Sequence, residues 1–182
     1  IYPVLKDFLP RYPDVSVEIV SDYGLVDIVA ERFDAGIRLG EHVDKDMIAV
    51  PIGPPERTVV VASPAYFAAH PVPQTPADLA AHRCINRHMP TLGGPSAWSF
   101  EKDGKKMRVR VAGQLAFNRP EMILEAAVAG FGLACLLESQ ALAWVRAGRL
   151  VRVLEDWCPV LPAYHLYYPS RRQNVPAFQL LV

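Results

Sequence analysis

The stretch NRPEMILEAAVAGFGLACLL, residues 118–137, decides the fold. Asn118 reads as a helix N-cap, with Pro120 in the first turn, where its missing N–H costs nothing, and Glu121 at the capping-box position. Met122, Ile123, Leu124, Ala126, Ala127 and Val128 make the helix apolar nearly all round, which predicts burial between a sheet and a second surface. Gly130 is a natural left-handed terminator, and Leu133–Leu137 then reads as an interior strand. A capped helix feeding directly into a buried strand is half of an alternating α/β layer.

The alternation continues on both sides. Toward the C-terminus, residues 139–147 form a helix ended by Gly148, Leu150–Leu154 a strand, and Tyr164–Tyr168 a last strand placed to return toward the start of the chain. Toward the N-terminus, Trp98–Glu101 and Met107–Val111 flank a Lys102-Asp103-Gly104-Lys105 turn, a hairpin signature. Thr75, Pro76 and Asp78 open a short helix with an approximate capping box, and Ser63-Pro64 caps another after the β-rich run Val59–Ala62.

At the start, Val4, Leu5, Phe8 and Leu9 predict a helix over residues 2–12, stopped by Pro13 and Asp14. Val15, Val17 and Ile19 alternate with Ser16 and Glu18 as in a half-buried strand. Asp22 is read as the cap of a helix carrying Leu25, Ile28 and Val29, before a strand over residues 33–39. This order predicts right-handed crossovers and a mostly parallel sheet covered by helices. Such a sheet ordinarily has a strand before its first helix. None precedes Ile1, so the first strand of the first lobe is read as missing.

The chain has 182 residues, 51% hydrophobic and 21% charged, enough to bury a substantial core. Nineteen basic residues balance nineteen acidic ones, so the chain has no general electrostatic pull toward nucleic acid or anionic lipid. No apolar run approaches the roughly 20 residues of a membrane span. Cys84, Cys135 and Cys158 are an odd number without close spacing and are read as free, mostly buried thiols of a cytoplasmic protein. Seventeen prolines sit at turns and first helical positions as punctuation.

No nucleophile elbow, phosphate-binding loop, zinc-protease helix or dinucleotide fingerprint occurs, so the sequence implies no enzyme and no cofactor. Gly130-Phe131-Gly132 follows a helix and precedes a strand, the reverse of the phosphate-binding order. His82, Cys84 and His88 match no zinc spacing and are read as structural; no metal is implied. Cys84 beside Arg83 and Arg87 is read as a buried thiol in preference to a redox sensor. Lys105, Lys106, Arg108 and Arg110 form a basic run in which Arg108 and Arg110 alternate with Met107, Val109 and Val111, as on a solvated strand. Arg171 and Arg172 either contact a carboxylate or coat a surface loop.

Open α/β sheets bind small ligands beyond the carboxyl ends of their strands. Arg38 ends one such strand, Ser63 stands at the crossing into a second lobe, and Asn118 at a helix N-terminus whose free amides favour an anion. Together they can hold a carboxylate. Each also has a plain structural reading: a surface ion pair for Arg38, helix caps for Ser63 and Asn118, and a core aromatic for Phe131.

The phrases Phe8-Leu9-Pro10-Arg11-Tyr12-Pro13, Phe33-Asp34-Ala35-Gly36-Ile37-Arg38-Leu39-Gly40, Ala62-Ser63-Pro64-Ala65-Tyr66, Gly130-Phe131-Gly132, Gly148-Arg149-Leu150-Val151 and Tyr168-Pro169-Ser170 run the length of the chain. In order and spacing the sequence resembles the C-terminal effector-binding domain of LysR-type transcriptional regulators. The resemblance implies a periplasmic-binding-protein-like α/β fold of two Rossmann-like lobes joined by crossover strands. Lobe I is expected over residues 1–62 plus 163–182, and lobe II over 63–162. It implies a small-molecule effector in the interlobe cleft, near Arg38, Ser63, Asn118 and Phe131. It also implies an N-terminal winged helix-turn-helix that alone meets DNA, and self-association as a dimer or tetramer. A side-by-side pairing is expected to use the apolar faces of residues 2–12 and 120–129. The alternatives are a periplasmic solute-binding protein of a transport system, which shares the fold, and an enzyme on the same fold, which no motif supports.

Overall fold

Val59, Val60, Val61 and Ala62 are almost wholly shielded from solvent, and the strand that carries them, β3 (Glu56–Ala62), organises the larger sheet. The computed structural model describes residues 1–22, 24, 26–40, 47–89, 94–170 and 176–180. They group into two units. The first holds Ile1–Asp22, Val26–Ile52 and His165–Val182, and the second Tyr23–Leu25 and Gly53–Tyr164.

In the second unit, β3 pairs antiparallel with β9 (Leu133–Leu137) on one edge, and with β10 (Val151–Val153) and β11 (Val160–Leu161) on the other. Strand β4 (Cys84–Met89) runs parallel to β9 and to the short β8 (Ala116–Phe117), and antiparallel to β5 (Gly94–Pro95). The sheet is therefore mixed, against the mostly parallel expectation. Its main antiparallel members are β3 against β9 and β10, a pairing set by distant strands that the local pattern does not specify.

Because side chains alternate across a strand, this sheet has two apolar faces, each covered. One face presents Val59, Val61, Ile85, Ala134 and Leu136 to Ile123, Ala126 and Ala127 of α3 (Pro120–Val128) and Ala141 of α4 (Glu138–Arg146). The other presents Val60, Ala62, Cys84 and Leu133 to Tyr66 of α2 (Pro64–Ala69), Leu79 of a 3-10 helix over Pro76–Ala81, and Trp98 and Phe100 of β6 (Trp98–Lys102). The dense apolarity of α3 thus reflects a helix laid on the central strands.

Local signals are realised closely. Asp78 accepts from Thr75 N at 2.8 Å and Gln74 N at 2.9 Å, which completes the expected capping box. Asp103 and Gly104, with φ of 51° and 73°, form the tight turn joining β6 to β7 (Lys105–Val109), whose basic residues are exposed. Gly130, with φ 85°, closes α3: Gly130 N donates to Ala127 O and Phe131 N to Ala126 O, a Schellman motif.

In the first unit, α1 (Tyr2–Phe8) runs into a 3-10 turn over Leu9–Arg11, as the helix over 2–12 anticipates. β1 (Gly36–Leu39), β12 (Tyr164–Pro169) and β2 (Met47–Pro51) form a three-stranded sheet in the order β1-β12-β2. Two expectations fail. Residues 15–19 alternate but join no ladder among the described residues, leaving Val17 and Ile19 exposed; alternation specifies a strand only where a partner supplies hydrogen bonds. The helix expected from Asp22 is reduced to a turn, where Asp27 Oδ1 accepts from Val29 N and Ala30 N and the chain closes with Phe33 N on Ile28 O. Leu25 lies outside the described residues, as do Arg171 and Arg172.

Two consequences can be measured. A Cβ built on Gly132 would stand 2.2 Å from Arg83 O, a backbone atom that cannot swing aside. Gly132→Ala should therefore cost about 1–3 kcal/mol, typical of overpacking, and lower the thermal midpoint well below that of Gly94→Ala, whose Cβ meets open space.

The second concerns the thiols. Burial pushes Cys84 and Cys135 up to about 12 and raises Cys158, and all three are free. Cys135 is half-buried as a residue, yet desolvation is also its leading cause, so its sulfur lies on the dry side of the strand. At pH 8 a thiol near 12 is about one ten-thousandth ionised, against roughly a quarter for an unperturbed one. Cys84 and Cys135 should react with a disulfide reagent orders of magnitude more slowly in the native chain than in urea. Native rates within about tenfold of a free thiol would contradict this burial.

Candidate functional site

Four residues were singled out by sequence, and the structure brings two of them together. Ser63 follows β3 with extended backbone angles, 3% exposed, and its Oγ accepts from Tyr66 N at 3.2 Å. It is the N-cap of α2, with Pro64 supplying the pre-set first turn. A Cβ on Gly130 would lie 3.4 Å from Ser63 Oγ, so the α3–β9 turn passes directly over this cap. The next residue, Phe131, is 58% exposed. The core-aromatic reading of Phe131 therefore fails: the ring is held outward between two glycines, one closing the helix and one forced by Arg83 O.

Asn118 is corrected. The N-cap of α3 is Arg119, with no side-chain cap bond, and Asn118 stands exposed one position earlier. Pro120 is the reason: a proline at the first helical position drives its predecessor out of the helical region, so the half-in cap falls on Arg119, at φ −107° and ψ 126°. Glu121 pairs with Arg119 Nε at 3.8 Å instead of closing a capping box.

Arg38 belongs to the first unit. Its Nη2 donates to Val26 O at 3.0 Å, and its guanidinium lies 5.6 Å from the Tyr167 ring centroid. The side chain thus ties β1 to the segment before it and to the face of β12.

Sequence reasoning did not find the group beneath the Gly130–Leu133 turn. Tyr66 Oη accepts from Arg83 N at 3.1 Å and lies 3.2 Å from His82 Nδ1, while His70 stacks on the Tyr66 ring at 4.1 Å and donates from Nδ1 to Tyr66 O at 2.9 Å. His82 is 6% exposed. Burial, reinforced by repulsion from His70 and opposed by Asp78, holds its imidazole below the usual histidine range. Burial likewise raises Tyr66. The only sequence signal was His82 itself, read there with Cys84 and His88 as structural; among the described residues no three His, Cys, Asp or Glu side chains are placed to hold a metal ion.

Nothing in this arrangement resembles a nucleophile with its base. A buried hydroxyl and an exposed aromatic meet at the C-terminal end of α3, whereas the exposed amide of Asn118 stands before its N-terminus, the length of the nine-residue helix away.

Comparison with known proteins gives the family. Residues 1–182 match the LysR substrate binding domain family. A putative transcriptional regulator of Pseudomonas aeruginosa is 56% identical over 180 residues, covering 99% of this chain and 59% of that protein. The HTH-type transcriptional regulator PgrR of Escherichia coli is 43% identical, over 99% of this chain and 60% of its own length. The chain thus spans about 60% of these relatives. Among solved structures, full-length AphB, a Vibrio cholerae virulence activator, superposes with TM-score 0.82 at 22% identity, over 100% of this chain and 60% of that one. CrgA, a LysR-type transcriptional regulator of Neisseria meningitidis, superposes with TM-score 0.81 at 24% identity, over 99% and 60%. These two likenesses show the fold, which is periplasmic-binding-protein-like, and the named relatives give the transport alternative no support. This chain belongs to the LysR family of transcriptional regulators, as their substrate-binding, effector-sensing domain.

Proposed function

We propose that the chain senses a small-molecule effector on behalf of a full-length, cytoplasmic DNA-binding regulator, and that its role is binding without catalysis. The observation that carries this is the Ser63–Gly130–Phe131 junction, where a buried helix cap and a helix-closing turn hold a large aromatic ring out toward solvent. An exposed aromatic on a rigid turn supplies contact area at low entropic cost. Asn118, exposed before the start of α3, is the candidate polar partner and would meet an anionic group such as a carboxylate from the other end of the helix. Arg38, in the first unit, is the further candidate for contact with an anionic effector.

In this reading the DNA reader is a helix-turn-helix elsewhere in the full-length protein, consistent with the naming of PgrR as HTH-type, and the working form is a dimer or tetramer. Effector binding alters transcription by favouring one arrangement of those readers over another, which requires different effector affinity in the two states.

The test is a thermal-shift screen with small carboxylates, amino acids and aromatic acids. A ligand that binds only the folded chain stabilises it by about 2.7 kcal/mol at a hundredfold excess over Kd. A dose-dependent rise is expected with at least one acid, reduced by Phe131→Ala and Asn118→Ala, whose own midpoints should stay close to the parent because both side chains are exposed. Arg38→Ala should lower the unliganded midpoint as well, through loss of its bond to Val26 O and its contact with Tyr167. A ligand whose shift is unaltered by Phe131→Ala and Asn118→Ala would place the site elsewhere.

A further inference from the structure

Tyr66 is joined by hydrogen bonds to Ser63 and Arg83, beside the turn that presents Phe131. Its backbone N–H donates to Ser63 Oγ, the atom that a Cβ on Gly130 would approach to 3.4 Å. Through its hydroxyl it holds Arg83 N, and Arg83 O in turn accepts from Leu133 N at 2.9 Å while lying against Gly132. Hydrogen bonds thus run from Ser63 through Tyr66 and Arg83 to Leu133, at the end of the turn. His82 Nδ1 is the other partner of that hydroxyl.

Hydrogen accounting fixes the polarity of this pair. The phenol oxygen already accepts from Arg83 N and carries one hydrogen to give away. Giving it to His82 Nδ1 satisfies all three groups, provided the imidazole is neutral and protonated on Nε2. A second proton can enter only at Nδ1, where it meets the tyrosine hydrogen head-on. The hydroxyl must then rotate, and it has no other acceptor among the hydrogen bonds of the described residues.

We propose that Tyr66 and His82 form a proton-responsive brace: protonation of His82 reverses its bond with the Tyr66 hydroxyl, strands the phenol hydrogen without an acceptor in the core, and so weakens the hold on Arg83 and loosens the Gly130–Leu133 turn. That this tunes effector affinity rests on the function proposed above; the brace itself does not. The titratable and charged groups facing His82 are Tyr66 and His70 of α2, Asp78 of the 3-10 helix, and its neighbours Arg83 and Cys84. Asp78 favours the proton but is committed to the Thr75 and Gln74 amides, whereas His70 opposes it.

The sign follows from linkage. His82 is held below its unfolded value near 6.5, so any opened state binds the proton first. The closed state is then fully favoured above about pH 6.5 and loses ground as pH falls through that value toward the folded one, by at most about tenfold per pH unit for one proton.

The experiment is amide hydrogen exchange with NMR titration of the histidine side chains, on the chain without ligand, from pH 7.5 to 5. The expected result is a His82 midpoint below 6.5, with protection of the Leu133 and Arg83 amides, corrected for intrinsic rates, falling in step. In His82→Gln, which keeps an acceptor for the hydroxyl, that protection should be independent of pH. In Tyr66→Phe the Arg83 amide should lose protection at every pH and the pH dependence should vanish, while burial and His70 keep the His82 midpoint below 6.5. Protection that stays flat in the parent chain while His82 titrates overturns the brace, as does a His82 midpoint at or above 6.5; neither measurement needs a variant to fold. An effector whose midpoint shift is pH-independent beside an intact brace would refute only its link to binding.

Discussion

The structure depends on one close approach: the Arg83 carbonyl against the backbone of Gly132 and Leu133. This contact opens the parallel pairing of β4 with β9 and sets its register, Cys84 opposite Leu133 and Ile85 opposite Ala134. A shift of one residue would exchange the two faces of β9. Leu133 would then meet α3 instead of Tyr66 and Leu79, and Ala134 would leave a void on the other side. Parallel pairs need a crossover to bring the strands together. Here the crossover ends in α3, and only a residue without a side chain can follow that helix so closely beneath a carbonyl.

From this register the two layers follow. The small residues Ala126, Ala127 and Ala134 let α3 lie close to the sheet, while Val59, Val61, Ile85 and Leu136 fill the space around them. On the opposite face the sheet meets a less regular cover of α2, the 3-10 helix and the β6–β7 hairpin. Larger side chains, Tyr66, Trp98 and Phe100, fill the gaps that short elements leave. Tyr66 is buried there with a polar oxygen, and a buried hydroxyl must be partnered. Its partners are a backbone N–H and an imidazole, which makes that face of the core polar at one point.

The sequence was most readable where a signal acts within four residues. Ser63-Pro64, Thr75 with Asp78, Asp103-Gly104 and Gly130 each direct the chain through their own backbone or nearest amides, and each does so in the structure. Signals that need a distant partner were less reliable. Residues 15–19 have a strand's alternation, but alternation selects a face and not a neighbour. The mixed sheet was illegible because the direction of β3 depends on which edges β9 and β10 take. Asn118 misled for a nearer reason: two rules competed, cap preference and proline's effect on its predecessor, and the steric one prevailed. Of the candidate site, Ser63 and the Gly130–Phe131 turn were visible individually, whereas the link between them through Tyr66 and Arg83 spans residues far apart in sequence and exists only in three dimensions.

Why an imidazole should occupy this place has a local answer. The ladder of β4 begins at Cys84, whose N–H goes to Ala112 O, so Arg83 spends its carbonyl on Leu133 and leaves its N–H without a strand partner. An orphan backbone donor at the edge of a core costs about as much as a lost hydrogen bond. The Tyr66 hydroxyl satisfies that donor, but brings a hydrogen of its own into the same dry space. A carbonyl would hold that hydrogen at every pH, and a carboxylate would bring a charge. Neutral histidine is the side chain that accepts it without charge near pH 7 and loses the ability under mild acid. The same choice that satisfies the backbone at the start of β4 makes the position of the Phe131 turn answer to protons.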